Sequence, residues 1–220
     1  MIWNGAAPPE HETLEGRYVR LEPLDPRRHR EDLLRLALTA GSEDRFRFLF
    51  DQRPKGEADF VAWIEKAAAS TDPIFFAVVD KATNRTEGRQ AFMRIDTTHG
   101  VIEIGNIFWG LAIARRRAAT EAFFLFAAHA FDTLGYRRLE WKCDNRNAAS
   151  KRAALRFGFT YEGLFRQHMV VKGENRDTAW FAIIDADWPK VSAALKAWLA
   201  PGNFDQDGNQ RRRLEELRRE

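Results

Sequence analysis

Residues 101–158, VIEIGNIFWGLAIARRRAATEAFFLFAAHAFDTLGYRRLEWKCDNRNAASKRAALRFG, constrain this chain more than any other stretch. A strand (101–109), a basic turn, a long amphipathic run, a second strand (139–143) and a short capped helix follow one another without a linker. Two strands joined by a helical crossover must run parallel, so the stretch is a β–α–β–α unit. Apolar residues at 119, 122, 123, 126, 127 and 130 give the long helix one wide inner face, and Gly135 ends it. That helix opens directly after Arg115-Arg116-Arg117, where unpaired N–H groups and the helix dipole favour an anion.

The flanking sequence supplies the rest of a mixed sheet. Residues 17–21 alternate and Pro23 stops them, which predicts a short edge strand. Asp25-Pro26 opens a helix ending near Gly41, and 56–69 carries Phe60, Val61 and Ile64 at helical spacing. Residues 46–50 (Phe-Arg-Phe-Leu-Phe) read either as aromatic groups closing the core beneath a loop or as a loop lining a cleft. Strands at 74–79 and 88–96 lead by tight turns into 101–109, and after Gly158 the period changes to two, with a hairpin turn at 172–175. The expected fold class is α/β with a mixed sheet: N-terminal antiparallel strands, the β–α–β–α unit with splayed parallel strands, and a C-terminal β-hairpin. One domain is expected over 15–200, with a loose leader over 1–14. The charged tail over 201–220 reads as disordered or a frayed helix and receives no function.

Composition narrows the function classes. With a formal charge of +3 in 220 residues, charge-driven nucleic-acid binding has little support despite a pI of about 9.2. No apolar run reaches the roughly 20 residues of a membrane helix, and no signal-peptide core is present, so the expected location is cytoplasmic. The single cysteine, Cys143, excludes a disulfide framework, and the histidines at 11, 29, 99, 129 and 168 lack ligand spacing, so no metal is expected.

Several residues stand out chemically. Gly105, inside a strand, marks either a β-bulge or a plain interior glycine; a bulge would splay 101–109 away from 139–143 and free backbone edges for an extended ligand. Glu103 is a carboxylate at that splay, or an exposed strand residue. Ala118 and Ala119 are small enough for a phosphate to approach the first-turn N–H groups, Thr120 adds a hydroxyl, and the arginines add charge-assisted bonds. Asn147 is placed as an N-cap with Ser150 three residues on.

Glu103-Ile104-Gly105, 118–122 (Ala-Ala-Thr-Glu-Ala), Leu134-Gly135-Tyr136-Arg137-Arg138 with Phe131, Asn147-Ala148-Ala149-Ser150, Gly158-Phe159 with Glu162-Gly163, and Leu21-Glu22-Pro23-Leu24 together resemble the GCN5-related N-acetyltransferase superfamily. Within it the likeness is to the ribosomal-protein alanine N-acetyltransferase branch, over about 17–188. The resemblance implies a V-shaped opening for acetyl-CoA and direct acetyl transfer to a primary amine, on a small molecule or a protein N-terminus, in a ternary complex. A non-catalytic CoA-binding sensor of the same fold is the alternative. The implied cofactor-binding residues are Phe108, Trp109, Ala114, Arg115, Arg116, Arg117, Ala118, Ala119, Thr120 and Asn147. Glu103 is the implied base, Ser150 the implied acid in place of a tyrosine that Ala154 leaves out, and His168 and Asp177 face the acceptor. The phosphate loop departs from the family pattern, with Arg117 where its first glycine stands. No nucleic acid or membrane partner is expected, and homodimers occur among relatives.

Overall fold

Apolar alternating runs joined by short turns pair antiparallel with their neighbours. The computed structural model, which describes residues 3–219, has eight strands in one sheet ordered β1-β2-β3-β4-β5-β6-β8-β7. They are β1 (Leu14–Glu15), β2 (Val19–Pro23), β3 (Ile74–Asp80), β4 (Arg85–Asp96), β5 (Val101–Trp109), β6 (Arg138–Asp144), β7 (Thr160–Val171) and β8 (Glu174–Ile184). β5 and β6 are parallel, as the crossover between them requires, and the other pairings are antiparallel.

Alternate side chains of a strand point to opposite faces, so the sheet builds two cores. On one face Phe76, Val78, Phe92, Ile102 and Ile104 pack against α4 (Arg117–Ala128), α5 (Ala148–Phe157) and α6 (Trp188–Leu199). Phe92 and Phe126 stack there with ring centroids 3.9 Å apart. On the other face Phe75, Ala77, Ala91 and Phe108 meet α1 (Pro26–Leu38), the short α2 (Glu43–Phe46) and α3 (Glu57–Ala68). Asp25 caps α1 by accepting the Arg27 N–H at 2.8 Å, and Gly158 closes α5 at φ 107°, a left-handed position that suits glycine. Glu121, buried on α4, accepts the backbone N–H groups of Arg17, Tyr18 and Val19 at 2.8, 2.5 and 2.8 Å. One carboxylate thereby fastens the entry to β2 onto the central helix. Among the described residues, no helix is long and apolar enough to cross a membrane.

Both chain ends differ from expectation. The leader is pinned rather than loose: the Trp3 indole donates to the Thr98 carbonyl at 2.6 Å, and the Ala6 and Ala7 N–H groups donate to Thr97 and Leu134, each at 2.9 Å. The tail is structured. Asn203 donates to the Trp198 and Arg212 carbonyls and accepts the Arg212 N–H, Phe204 bridges to Gln210, and α7 (Leu214–Leu217) buries Leu214 completely. A charged segment shows no periodicity, yet a few apolar anchors suffice to dock it once a surface exists. Strand β4 begins three residues before expectation, at Arg85, and β8 begins at Glu174, inside the expected turn, because ladder bonds are made by backbone whatever the side chain.

Candidate active site

The parallel pairing of β5 with β6 covers only Val101↔Arg138, Ile102↔Leu139 and Glu103↔Glu140. Beyond Glu103, β5 follows β4 and β6 follows β8, so the two strands part. A bulge follows the parting. Ala91 faces Gly105 and Arg89 faces Phe108, which leaves Asn106 and Ile107 opposite Gln90 alone, with Asn106 at φ 51°. The bulge thus lies one residue past Gly105, whose missing side chain makes room for the Met93 sulfur. The Gly110 N–H donates to Glu87 across the β4 ladder at 2.7 Å. Since alternate residues face alternate neighbours, the Trp109 N–H points the other way, into the splay. The Trp109 carbonyl on that same side is held by Arg45 at 2.7 Å.

A groove of about 1460 Å³ runs from Trp109 over the start of α4 to the C-terminal tail. That exceeds the roughly 300–1,000 Å³ of drug-sized ligand sites and suits an extended ligand. At the N-terminus of α4, Arg116 occupies the cap position without a side-chain cap, so the first N–H groups of the helix stay available. Arg115, at φ 64°, turns the chain into the helix. Arg117 is exposed; its guanidinium lies over Tyr18 at 4.5 Å and Phe204 at 5.5 Å. α5 contributes Ala149, Arg152, Ala153 and Arg156 to the opposite wall, and the tail contributes Phe204 and residues 207–210. Arg156 lies over the Trp198 ring at 4.7 Å and donates to the Thr120 hydroxyl at 3.0 Å.

On the opposite face of the splay, Glu103 is buried, 3% exposed, not a surface residue. Arg94 and Lys142 pair with it at 2.7 and 3.0 Å, and Lys142 also pairs with Glu140 at 2.6 Å while lying 3.8 Å over the Trp180 ring. Burial pushes the Glu103 carboxyl above its usual value, with the two cations pulling the other way. His168 bonds the Thr178 hydroxyl at 3.0 Å and sits beside Trp180; burial and the nearby Arg176, Arg94 and Lys142 hold its pKa down. The β7–β8 hairpin reaches across to the α2 loop, where Lys172 donates to the Phe46 carbonyl at 2.7 Å and Arg176 lies over Phe50 at 4.9 Å.

The structure brings Trp109 and 114–120 together in the groove, and Glu103 and His168 on the other face. The remaining expected residues are placed differently. The Phe108 side chain points into a separate cavity under α1 and α3. Asn147 is occupied in capping α5, accepting the Ser150 N–H at 3.0 Å, and does not line the groove. Thr120, although it lines the groove, is buried and its hydroxyl accepts from Arg156. Ser150 accepts the Trp141 indole N–H at 2.9 Å. Asp177 lies on the face of β8 opposite Thr178 and accepts from Gln167 and Asn175, tying the hairpin. Sequence reading missed the α5 wall, although 149, 152, 153 and 156 carry the three-, four- and seven-residue spacing of one helix face. It also missed the tail residues, for which no local signal exists.

Comparison with known proteins agrees with this geometry. The profile of the acetyltransferase (GNAT) domain matches residues 19–160. The crystal structure of a GCN5-related N-acetyltransferase from Brucella melitensis is 55% identical with TM-score 0.98, the match covering 99% of each chain. A probable acetyltransferase (GNAT family) from Chromobacterium violaceum is 41% identical, TM-score 0.79, over 85% of this chain and 93% of that one. RimL, a ribosomal L7/L12 alpha-N-protein acetyltransferase solved in complex with coenzyme A, shares the fold at 20% identity and TM-score 0.67, over 80% of this chain and 99% of its own. No curated protein matches the chain. A splayed β5–β6 pair, an uncapped helix start and a groove joining them thus belong to a chain whose sequence matches the same family, and this protein is an acyltransferase of the GCN5-related N-acetyltransferase family.

Proposed function

We propose that this protein transfers an acetyl group from acetyl-CoA directly to a primary amine in a ternary complex, with Glu103 as general base. The carrying observation is the juxtaposition at the splay: the arginine-lined groove on one side, a buried carboxylate on the other, and the Trp109 N–H between them. The groove residues fit the co-substrate. Arg115, Arg116 and the uncapped N–H groups at the start of α4 would hold the pyrophosphate, with Arg152 and Arg156 opposite and the tail walling the outer end.

Acetyl-CoA, when bound, supplies an activated thioester carbonyl. The Trp109 N–H would meet the negative charge that develops on the carbonyl oxygen. An acceptor amine must lose its proton before attack; a free lysine amine titrates near 10.4. Glu103 would take that proton, directly or through water. The Ser150 hydroxyl accepts the Trp141 indole N–H and is hydrogen-bonded to the Cys143 sulfur; turned from that sulfur, it would offer its proton to the departing thiolate. Cys143 is buried and its thiol is pushed up by that burial, so a route through an acyl-cysteine has no activated nucleophile.

Calorimetric titration with acetyl-CoA, followed by assay of CoA release against amines, tests this reading. Arg115→Ala and Arg152→Ala are each expected to weaken binding about 10-fold, the lower end for a charge-assisted bond of roughly 1.5–3 kcal/mol. Unchanged affinity in both variants would place the pyrophosphate elsewhere.

A further inference from the structure

A second cavity, of about 260 Å³, lies on the face of β5 opposite the groove, walled by Phe46, Phe60, Trp63 and Phe108. Strand β5 separates the two spaces at consecutive residues, since Phe108 faces the cavity and Trp109 the groove. The cavity is below the roughly 300–1,000 Å³ that whole drug-sized ligands occupy. It fits a side group of an acceptor, not the whole molecule. Its polar lining is Arg89, whose side chain is 3% exposed, with Asp51, Gln52, Arg53, Lys55 and Asp59. The Arg89 guanidinium lies 4.4 Å over Trp63, 5.6 Å from Phe75 and 5.9 Å from Phe108. It donates to the bulge carbonyl of Asn106 at 3.1 Å and to Asp51 at 2.7 Å. Those bonds use two of the five N–H donors of a guanidinium, leaving donors for a further oxygen.

We propose that this cavity selects the acceptor: an α-amine adjacent to a carbonyl or carboxylate and carrying an apolar, aromatic-sized side group. The inference rests on the acetyltransferase reading above. The side group would fill the aromatic walls, an oxygen would meet Arg89, and the amine would remain at the splay near Trp109. A free apolar amino acid and a peptide with an apolar first residue present the same chemistry.

The test compares kcat/KM for L-phenylalanine, a tripeptide beginning with phenylalanine, a tripeptide beginning with lysine, and spermidine. It uses the wild type, Ala37→Leu, which fills the cavity from a lining position at the end of α1, and Arg89→Lys. The phenylalanine compounds are expected to exceed the other two by about 10–200-fold, the range for hydrophobic-pocket discrimination. Ala37→Leu should erase that preference while acetyl-CoA affinity is kept. If Ala37→Leu does not fold, Trp63→Phe serves instead, and should shift the preference by widening the wall. The two phenylalanine arms separate the amino acid from the peptide source. Preference for spermidine, equal rates across the panel, or a preference that survives cavity filling would overturn the inference. So would acetyl-CoA binding without acetylation of any panel member. Absence of acetyl-CoA binding would instead overturn the acetyltransferase reading itself.

Discussion

Glu103→Gln is expected to lower kcat/KM by about 10²–10⁴-fold, the usual contribution of a positioned general base, while acetyl-CoA affinity stays within about twofold of wild type. The substitution keeps the volume of the side chain and removes its capacity to accept a proton at working pH. The fold should survive it: Lys142 retains Glu140 at 2.6 Å, and Arg94 is 39% exposed and can turn to water. The groove proposed for the co-substrate is lined by other residues. A base works only when deprotonated, so the rate should fall as pH drops through the Glu103 pKa. Burial places that pKa above the usual 4.5, and the acid limb of the kcat/KM profile should sit correspondingly above the ordinary carboxylate range. Lys142→Met removes a cation that favours the ionised form, and should move the limb to higher pH. An active Glu103→Gln enzyme with an unmoved limb would transfer the base role to another group on that face, His168 being the nearest in character.

Glu121→Ala is expected to cost about 3–5 kcal/mol of folding stability. Three backbone N–H groups lose a charged acceptor within a buried site, and each unsatisfied buried group costs about 1–3 kcal/mol. At roughly 2–4 °C per kcal/mol for a chain of this size, Tm should fall by about 10 °C, measurable by calorimetry. Gly16→Ala checks the same contact independently. A Cβ at Gly16 would lie 2.5 Å from a Glu121 carboxylate oxygen and 2.8 Å from the Val19 carbonyl, so it should destabilise as well. A Tm within about 2 °C of wild type for Glu121→Ala would mean that water replaces the carboxylate.

Much of the fold was legible because its signals are local. The period of two in β7, the wide apolar face of α4, Asp25 and Asn147 as caps and Gly135 and Gly158 as stops each act within a turn or two of chain, and each stands where expected. The site was legible in part. Arg115–Arg117 could be assigned to a helix start, and Glu103 to a splayed strand, because the crossover fixes which strands are neighbours. Residues 46–50 satisfied both of their readings at once: Phe46 is buried and lines the cavity beneath α1 and α3, while Phe50 lies over Arg176.

What the amino-acid sequence determined by itself is the β–α–β–α unit, its anion-favouring helix start and a mixed sheet around it, since periodicity, caps and crossover sterics operate along the chain. Tertiary structure alone decided which side of β5 each residue serves, that Thr120 and Asn147 are occupied by Arg156 and Ser150, and that the charged tail walls the groove. It also decided that Glu103 is buried between Arg94 and Lys142, nine residues before it and on the next strand, a pairing that β-register creates and no sequence spacing encodes. Burial and charge environment belong to surfaces that meet only after folding. For that reason the reactivity of the carboxylate, unlike its position, could be read only from the folded chain.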